Sequence, residues 1–292
     1  MNAHRDTIFE ETANVINQEA LAAGQYFLTL HAPKCAQRAR AGNFVHLQCD
    51  QQLGMRRPYS IMRANKKTGY IDILYKVVGQ GGELLSTRKA GDTIQCLGPI
   101  GNEFTVSETT THPLLLGGGV GIPPMVFLAE ELKQKEVNNG KNLHPFVIMG
   151  SEIPFPFTAK PSKILMPGIP DGVIASMPLL DDWGIASRLT SQQDYQGCYQ
   201  GYVHELAEKW VESLDDTSGV EVFSCGPTPM LQAVAAFAKR HALPCQLSLE
   251  EHMACAVGGC AGCVVPFKEN DKIVAMKRVC VDGPIFNAEN IY

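Results

Sequence analysis

Four cysteines toward the C-terminal end carry the sharpest chemical signal: Cys255, Cys260, Cys263 and Cys280, spaced C-x4-C-x2-C-x16-C. The first three can wrap one loop around a metal centre, and the fourth can return from a neighbouring hairpin. This is the plant-type ferredoxin spacing for a [2Fe–2S] cluster. The residues between them, Ala254, Ala256, Gly258, Gly259, Ala261 and Gly262, are small. Small residues let backbone N–H groups come close to sulfur. The competing reading is a four-cysteine zinc site. Such sites usually use two C-x2-4-C pairs, and only one short pair is present here. A Rieske-type centre would need a second histidine beside His252, so His252 reads as a surface or packing residue.

Two further groups of segments could handle a flavin and a nucleotide. Arg57-Pro58-Tyr59-Ser60 offers a guanidinium for a pyrophosphate, an aromatic face for an isoalloxazine and a hydroxyl for a flavin nitrogen. An ordinary strand start would read the same way. Downstream lie Leu74-Tyr75-Lys76 and then Gly79-Gln80-Gly81-Gly82, a turn that could present N–H groups to phosphate or simply close a hairpin. The loop Gly117-Gly118-Gly119-Val120-Gly121-Ile122-Pro123-Pro124 follows an apolar run and precedes a helical pattern, the context for a dinucleotide phosphate at a helix N-terminus. It departs from G-x-G-x-x-G at Pro124. Cys225-Gly226-Pro227 ends a strand and begins a helix, so it too belongs at the carboxyl edge of a sheet. The plain alternative for Cys225 is a buried strand thiol.

The rest of the chain must position these groups. At 292 residues, with 45% hydrophobic residues, it is long enough for two or three domains with proper cores. A net charge of −5 with no long basic run argues against nucleic acid. The opening MNAHRDTIFEET lacks a signal pattern, and the uncharged stretch from Thr109 to Ala129 is broken by glycine and proline, unlike a membrane span. Ten cysteines without an export signal point to metal or redox chemistry rather than disulfides, and to a cytoplasmic location.

The first hundred residues read as short strands (Gln25–His31, Asn43–Cys49, Tyr70–Val78) without a strong helical pattern, closed by a turn at Gly98–Gly101. Strands at Leu114–Leu116, Phe146–Met149 and Val220–Ser224 then alternate with helical patterns through Met125–Leu132, Val203–Leu214 and Leu231–Ala238. Ile153–Asp171, with five prolines, reads as an irregular excursion. The expectation is a multidomain β and α/β protein. It comprises an antiparallel flavin-binding β-barrel over 1–108, a Rossmann-like parallel-sheet nucleotide domain over 109–244, and a small cluster module over 245–292.

Taken together, the segments resemble the ferredoxin–NADP reductase superfamily. Arg57-x-Tyr59-Ser60, the Gly117–Pro124 loop and Cys225-Gly226-Pro227 occur in that family's order. The cysteine segment, with Arg278-Val-Cys-Val-Asp-Gly-Pro284, resembles the electron-transfer subunit of type B dihydroorotate dehydrogenase. The resemblance covers nearly the whole chain. It implies FAD, a [2Fe–2S] cluster and NAD as cofactors. It implies a partner as well, an FMN-containing catalytic subunit that oxidises dihydroorotate in pyrimidine biosynthesis, within a heterotetramer. Electrons would enter through the cluster, pass to FAD and leave as hydride to NAD+. By the same resemblance, Arg57–Ser60, Leu74–Lys76 and Gly81-Gly82 contact FAD, Gly118–Gly121 serves the nucleotide, and Cys225 lies near the nicotinamide. Gly82 departs from the family's usual Thr, which removes one hydroxyl contact.

No acid–base constellation for an organic substrate stands out, which suits a conduit whose chemistry the cofactors carry. Locally, the absence of Arg and Lys from Met149 to Ala159, together with Glu152, favours NAD over NADP. The small residues around the cysteines would let a partner approach the cluster. Two other functions stay open: the flavin and iron–sulfur subunit of an NADH-dependent ferredoxin:NADP oxidoreductase or sulfide dehydrogenase-type complex, and a non-enzymatic, zinc-stabilised binding module.

Overall fold

The computed structural model describes residues 7–140 and 142–292, so the first residues of the opening segment MNAHRDTIFEET lie outside the described residues. Contacts divide the chain into two compact units. One holds the residues up to Phe104 with Ser248–Phe286 and Ile291, and the other Thr105–Leu247 with Asn287–Asn290 and Tyr292.

In the first unit the chain runs β1 (Phe9–Ala20), β2 (Gln25–His31), α1 (Pro33–Arg38), β3 (Phe44–Gln48), β4 (Arg57–Ser60), β5 (Arg63–Asn65), β6 (Tyr70–Lys76), α2 (Gln80–Ser86) and β7 (Thr93–Ile100). The strands form one antiparallel sheet ordered β4-β3-β7-β1-β2-β6-β5. Alternation sends Ala13, Val15, Leu28, Leu30, Val45, Leu47, Ile71, Ile73 and Ile94 into a common core. The sheet curls as it goes. Tyr59 on β4, at one edge, meets Tyr75 on β6, near the other, with ring centroids 5.4 Å apart.

One sequence expectation fails here, and one alternative reading falls away. Gly98–Gly101 is not a closing turn, because β7 continues to Ile100 and Gly98 pairs with Phe9 of β1. Ladder pairing along β1 outweighs the local turn preference of Gly and Pro. Gly79–Gly82 is not a hairpin either. Gly79, at φ 80°, caps α2, and Gly81 and Gly82 form its first turn. The helices α1 and α2 were hidden by their brevity. The Glu11 carboxylate of β1 accepts the Lys34 and Cys35 N–H groups at the start of α1, at 3.1 and 2.8 Å.

The second unit runs β8 (His112–Gly118), α3 (Ile122–Asn139), β9 (Phe146–Gly150), β10 (Lys160–Pro161), β11 (Ala175–Ser176), α4 (Pro178–Asp182), β12 (Ala186–Ser191), β13 (Tyr199–Gln200), α5 (Val203–Glu212), β14 (Val220–Cys225), α6 (Thr228–Arg240) and β15 (Cys245–Ser248). Its strands follow the order β13-β12-β9-β8-β14-β15, and the pairs from β13 through β14 are parallel. Leu114, Leu115, Leu116, Phe146, Val147, Val222 and Phe223 are wholly buried, as strands covered on both faces must be. The excursion holds only the two-residue pairing of β10 with β11. Among the described residues no helix is long and apolar enough to cross a membrane.

The cysteine segment adds an antiparallel hairpin, β16 (Val264–Glu269) and β17 (Lys272–Arg278), and the short α7 (Val279–Asp282). The hairpin turns at Asn270-Asp271, both at positive φ (49° and 60°), as a two-residue β-turn demands. Contacts place the unit boundaries after Phe104 and Leu247, where the sequence suggested 108 and 244. β15 joins the sheet of the second unit, and the cysteine segment groups with the barrel.

Candidate cluster, flavin and nucleotide sites

The four cysteines come together although Cys280 is distant in sequence. The Cys255 thiol feels that of Cys260, the Cys280 thiol feels that of Cys263, and Cys280 also feels Cys255. Two thiol pairs side by side suit two irons. Among the described residues, the group of three ligand atoms lying within 4.8 Å of one another is Glu208, Glu212 and His241 of the other unit. There Glu208 is already taken by Arg240 at 2.8 and 3.0 Å.

The loop is shaped for sulfur. Ala256 and Ala261 take positive φ (56° and 54°), which turns successive N–H groups inward, and Gly262 N–H points at Cys260 Sγ, 3.4 Å away. Burial pushes the Cys255 thiol up. The N–H groups of Val257 and Cys260, the Cys260 side chain and the Gly259 N–H outweigh it and bring Cys255 down to about 7. Cys280 goes the other way, to about 12, through burial and then its neighbour Cys263. A bound metal would hold all four as thiolates. Arg278 braces the loop: its Nε and backbone N–H donate to Asp282 Oδ2 (3.2 and 2.8 Å), and Nη1 donates to the Gly258 carbonyl (3.1 Å). Cys263 and Cys280 are buried, Cys255 is half-buried and Cys260 is exposed. His252 is exposed, as the sequence suggested.

Within the barrel, folding unites the flavin-type segments. Arg57 lies across Gly81: a Cβ on Gly81 would sit 2.9 Å from Arg57 Cγ and 3.1 Å from Nε. Arg57 Nη1 donates to the carbonyls of Met55 (2.9 Å) and Arg56 (3.1 Å), which aims the guanidinium. A guanidinium beside a glycine helix start fits a diphosphate. Tyr59 is held between Tyr75 and the Cys49 thiol, 3.6 Å from its hydroxyl, and burial pushes the hydroxyl of Tyr59 well above the usual range. Tyr75 stacks on Tyr26 with centroids 5.5 Å apart and donates to Gln18 Oε1 at 3.2 Å. Leu74 and Tyr75 are buried, Lys76 is exposed, and Pro58 and Ser60 are half-buried. Cys49, Gln18 and Arg88, which bonds the Cys49 carbonyl, complete this setting. No local pattern marks them, because each is brought in by strand pairing.

In the second unit, Gly117 of β8 lies opposite Cys225 of β14 in the parallel ladder. Gly118, Gly119, Val120 and Gly121 therefore share the sheet's carboxyl edge with Cys225, Gly226 and Pro227. A Cβ on Gly121 would overlap the Cys225 carbonyl, so only glycine lets the two loops close. Ser224 Oγ donates to the Leu116 carbonyl at 3.0 Å and locks the strands just below. The 18-residue α3 starts immediately after Gly121 and turns the positive end of its dipole there. Pro123 and Pro124 carry no N–H and the Ile122 N–H donates to the Gly119 carbonyl, so any N–H groups offered to a ligand come from the glycine loop itself. Cys225 is 1% exposed, matching the buried strand thiol of the plain reading. Glu152 is exposed beyond β9, and Ser151 is fixed by its N–H to the Thr190 carbonyl at 3.1 Å.

Comparison with known proteins agrees with this geometry. Residues 250–292 match the iron-sulfur cluster binding domain of dihydroorotate dehydrogenase B, and residues 13–104 match the oxidoreductase FAD-binding domain. The "Dihydroorotate dehydrogenase B (NAD(+)), electron transfer subunit" of Geobacillus thermodenitrificans is 32% identical, over 97% of this chain and 99% of its own. That of Caldanaerobacter subterraneus subsp. tengcongensis is 30% identical, over 96% and 97%. Among solved structures, one from an NADH-dependent reduced ferredoxin-NADP oxidoreductase aligns over 97% of this chain and 90% of its own, with a TM-score of 0.76 and 24% identity. At that identity the likeness speaks for the fold. With two thiol pairs, a flavin-type barrel and near full-length relatives in agreement, the chain belongs to the electron transfer subunits of dihydroorotate dehydrogenase B.

Proposed function

We propose that this chain passes electrons from an FMN-containing dihydroorotate dehydrogenase subunit through a [2Fe–2S] cluster and FAD to NAD+, in the cytoplasm, as part of pyrimidine biosynthesis. The observation that carries the reading is the pairing of Cys255 with Cys260 and of Cys263 with Cys280 in the same compact unit as the Arg57–Ser60 strand. FAD and the cluster, when bound, supply the exchange between two-electron and one-electron chemistry. The chain's own residues bind and orient. Cys255 and Cys260 would hold one iron, and Cys263 and Cys280 the other, with Arg278 fixing the loop. Arg57 and the Gly81-Gly82 helix start would take the flavin diphosphate, Tyr59 the ring face and Ser60 its reactive edge, with Leu74–Lys76 alongside. Gly118–Gly121 at the start of α3 would receive the nucleotide phosphates, and Cys225-Gly226-Pro227 would flank the nicotinamide. Glu152 supports NAD over NADP by repelling a 2′-phosphate. The functional division 1–108, 109–244 and 245–292 is part of the same proposal, as is a heterotetrameric assembly.

Reconstitution tests it. With the catalytic subunit, dihydroorotate should drive NADH formation, while this chain alone should leave dihydroorotate untouched. Turnover by the chain alone, or no NADH from the pair, would overturn the reading. It would point instead to a ferredoxin- or sulfide-linked partner.

A further inference from the structure

The first strand of the barrel changes face partway along. Up to Val15 its odd-numbered residues point inward, and Ala13 and Val15 are buried. The β1–β2 register then shifts: Val15 lies opposite Leu30, but Asn17 lies opposite Thr29 and Gln18 opposite Leu28. Ile16 is the extra residue of a bulge, and a bulge re-aims the side chains that follow it. Gln18 therefore joins Leu28 on the core-facing side. Tyr26 and Tyr75, opposite each other on β2 and β6, share that side, because Tyr26 stands two residues from Leu28 on β2.

There the half-buried Gln18 uses both ends of its amide. Oε1 accepts the Tyr75 hydroxyl at 3.2 Å, and Nε2 donates to the carbonyls of Leu85 and Arg88, both at 2.9 Å, at the far end of α2. One planar group thus joins the Tyr26–Tyr75–Tyr59 cluster to the helix whose Gly81 lies against Arg57. A second path closes on the same points. Arg88 donates from Nε and Nη2 to the Cys49 carbonyl (3.1 and 2.8 Å) and from Nη2 to Asp50 Oδ2 (2.5 Å), and the Cys49 thiol lies 3.6 Å from the Tyr59 hydroxyl. Contacts run from Gln18 through Tyr75, Tyr59, Cys49 and Arg88 back to Gln18. A glutamine that only finished a helix would need its donor alone, because what a helix end lacks is partners for its last carbonyls. Here the acceptor is committed as well, and to an aromatic residue of the flavin-type cluster.

We propose that Gln18 is a positioning residue for FAD, holding the tyrosine cluster and the helix beside the Arg57 guanidinium in one arrangement so that flavin ring and diphosphate are received together. The proposal rests on the functional reading above and adds a residue that acts through Tyr75 and α2.

The test uses the full chain with its cluster, as Gln18→Leu and Gln18→Glu. Leucine removes both halves of the link. Glutamate keeps an acceptor for the Tyr75 hydroxyl but has no N–H for the Leu85 and Arg88 carbonyls. Two quantities are read: FAD affinity by equilibrium dialysis, and the visible band of the bound flavin as a difference from the parent, in which the cluster absorbance cancels. Q18L should bind FAD roughly tenfold more weakly, the upper end of what one net hydrogen bond contributes. Its flavin band should shift, because Tyr75 no longer steadies Tyr59. Q18E should also lose FAD affinity but keep the parental band. A merely structural glutamine would lower the unfolding midpoint and leave the band of the bound flavin where it was. Parental FAD affinity in either variant, a parental band in Q18L, an equal band shift in Q18E, or loss of fold in both would each overturn the proposal. A parent chain that binds no FAD would instead overturn the functional reading.

Discussion

The cysteine loop and the glycine loop solve opposite problems. Gly117–Gly121 is built of backbone and is closed by its own packing. It closes on Cys225 so tightly that one methyl group would overlap a carbonyl oxygen. Around the cysteines the functional atoms are side chains. Val257, Gly259, Cys260, Ala261 and Gly262 are exposed, and Arg278 ties only the Gly258 end. A site of oriented N–H groups can be pre-formed because the fold itself satisfies its geometry. A site of four thiols cannot be fully formed alone, because thiolates repel until a metal neutralises them, so binding completes the loop. The first should resist loss of its ligand and tolerate no added atom. The second should tolerate surface change and fail when one ligand atom is lost.

The largest expected effect breaks the second half of that contrast. Cys260→Ser should abolish the cluster, seen as loss of acid-labile sulfide and of the visible spectrum, because a hydroxyl is a poor replacement for a soft thiolate. Cys260 is exposed, so the variant's thermal midpoint without iron should match that of the iron-free parent, a change within about 0.5 kcal/mol. Stoichiometric zinc without sulfide in anaerobically prepared parent protein would remove the cluster from the comparison altogether.

Gly121→Ala tests the other side. The atom in the way is backbone, which cannot rotate aside, so the cost should reach about 3 kcal/mol, the upper part of the range for overpacking. A lowered unfolding midpoint and weaker NADH binding should appear together. An unchanged midpoint would show that the two loops are not closed by their own packing.

Arg57→Ala sharpens the contrast with a mixed site, a charged side chain laid over a glycine helix start. The lost charge-assisted contacts amount to roughly 1.5–3 kcal/mol of FAD affinity, while the iron content should stay at the parental level. Equilibrium dialysis of FAD measures it. Retention as tight as in the parent would take the diphosphate away from Arg57.

Much of the chemistry was legible before folding because its carriers are neighbours in sequence. Cys255, Cys260 and Cys263 lie in one loop, Arg57 to Ser60 in one strand, and the Gly117–Gly121 run directly precedes an amphipathic helix. β12 shows where reading failed. Ala186–Ser191 is a fully buried strand, yet Ser187, Arg188, Thr190 and Ser191 are polar, so no apolar run announces it. Partners arriving from afar meet part of this polarity: Ser187 Oγ accepts the Met177 N–H and Arg188 donates to the Ile164 carbonyl, while Thr190 Oγ1 and Arg188 Nε stay buried without a partner.

By itself the sequence determined which candidate side chains lie near one another, their local spacing and the alternation of strands and helices, since these depend on residues within a few positions of each other. Only the tertiary structure decided that Cys280 lies beside Cys263, that Tyr59 meets Tyr75 across a curled sheet, that Arg57 covers Gly81, and that Asn102 holds the Gly283–Ile285 end of the cysteine segment. Each of these contacts joins positions that strand register and sheet curvature bring together. Register is a property of paired strands, set by which faces can be buried at once, and no single segment carries it.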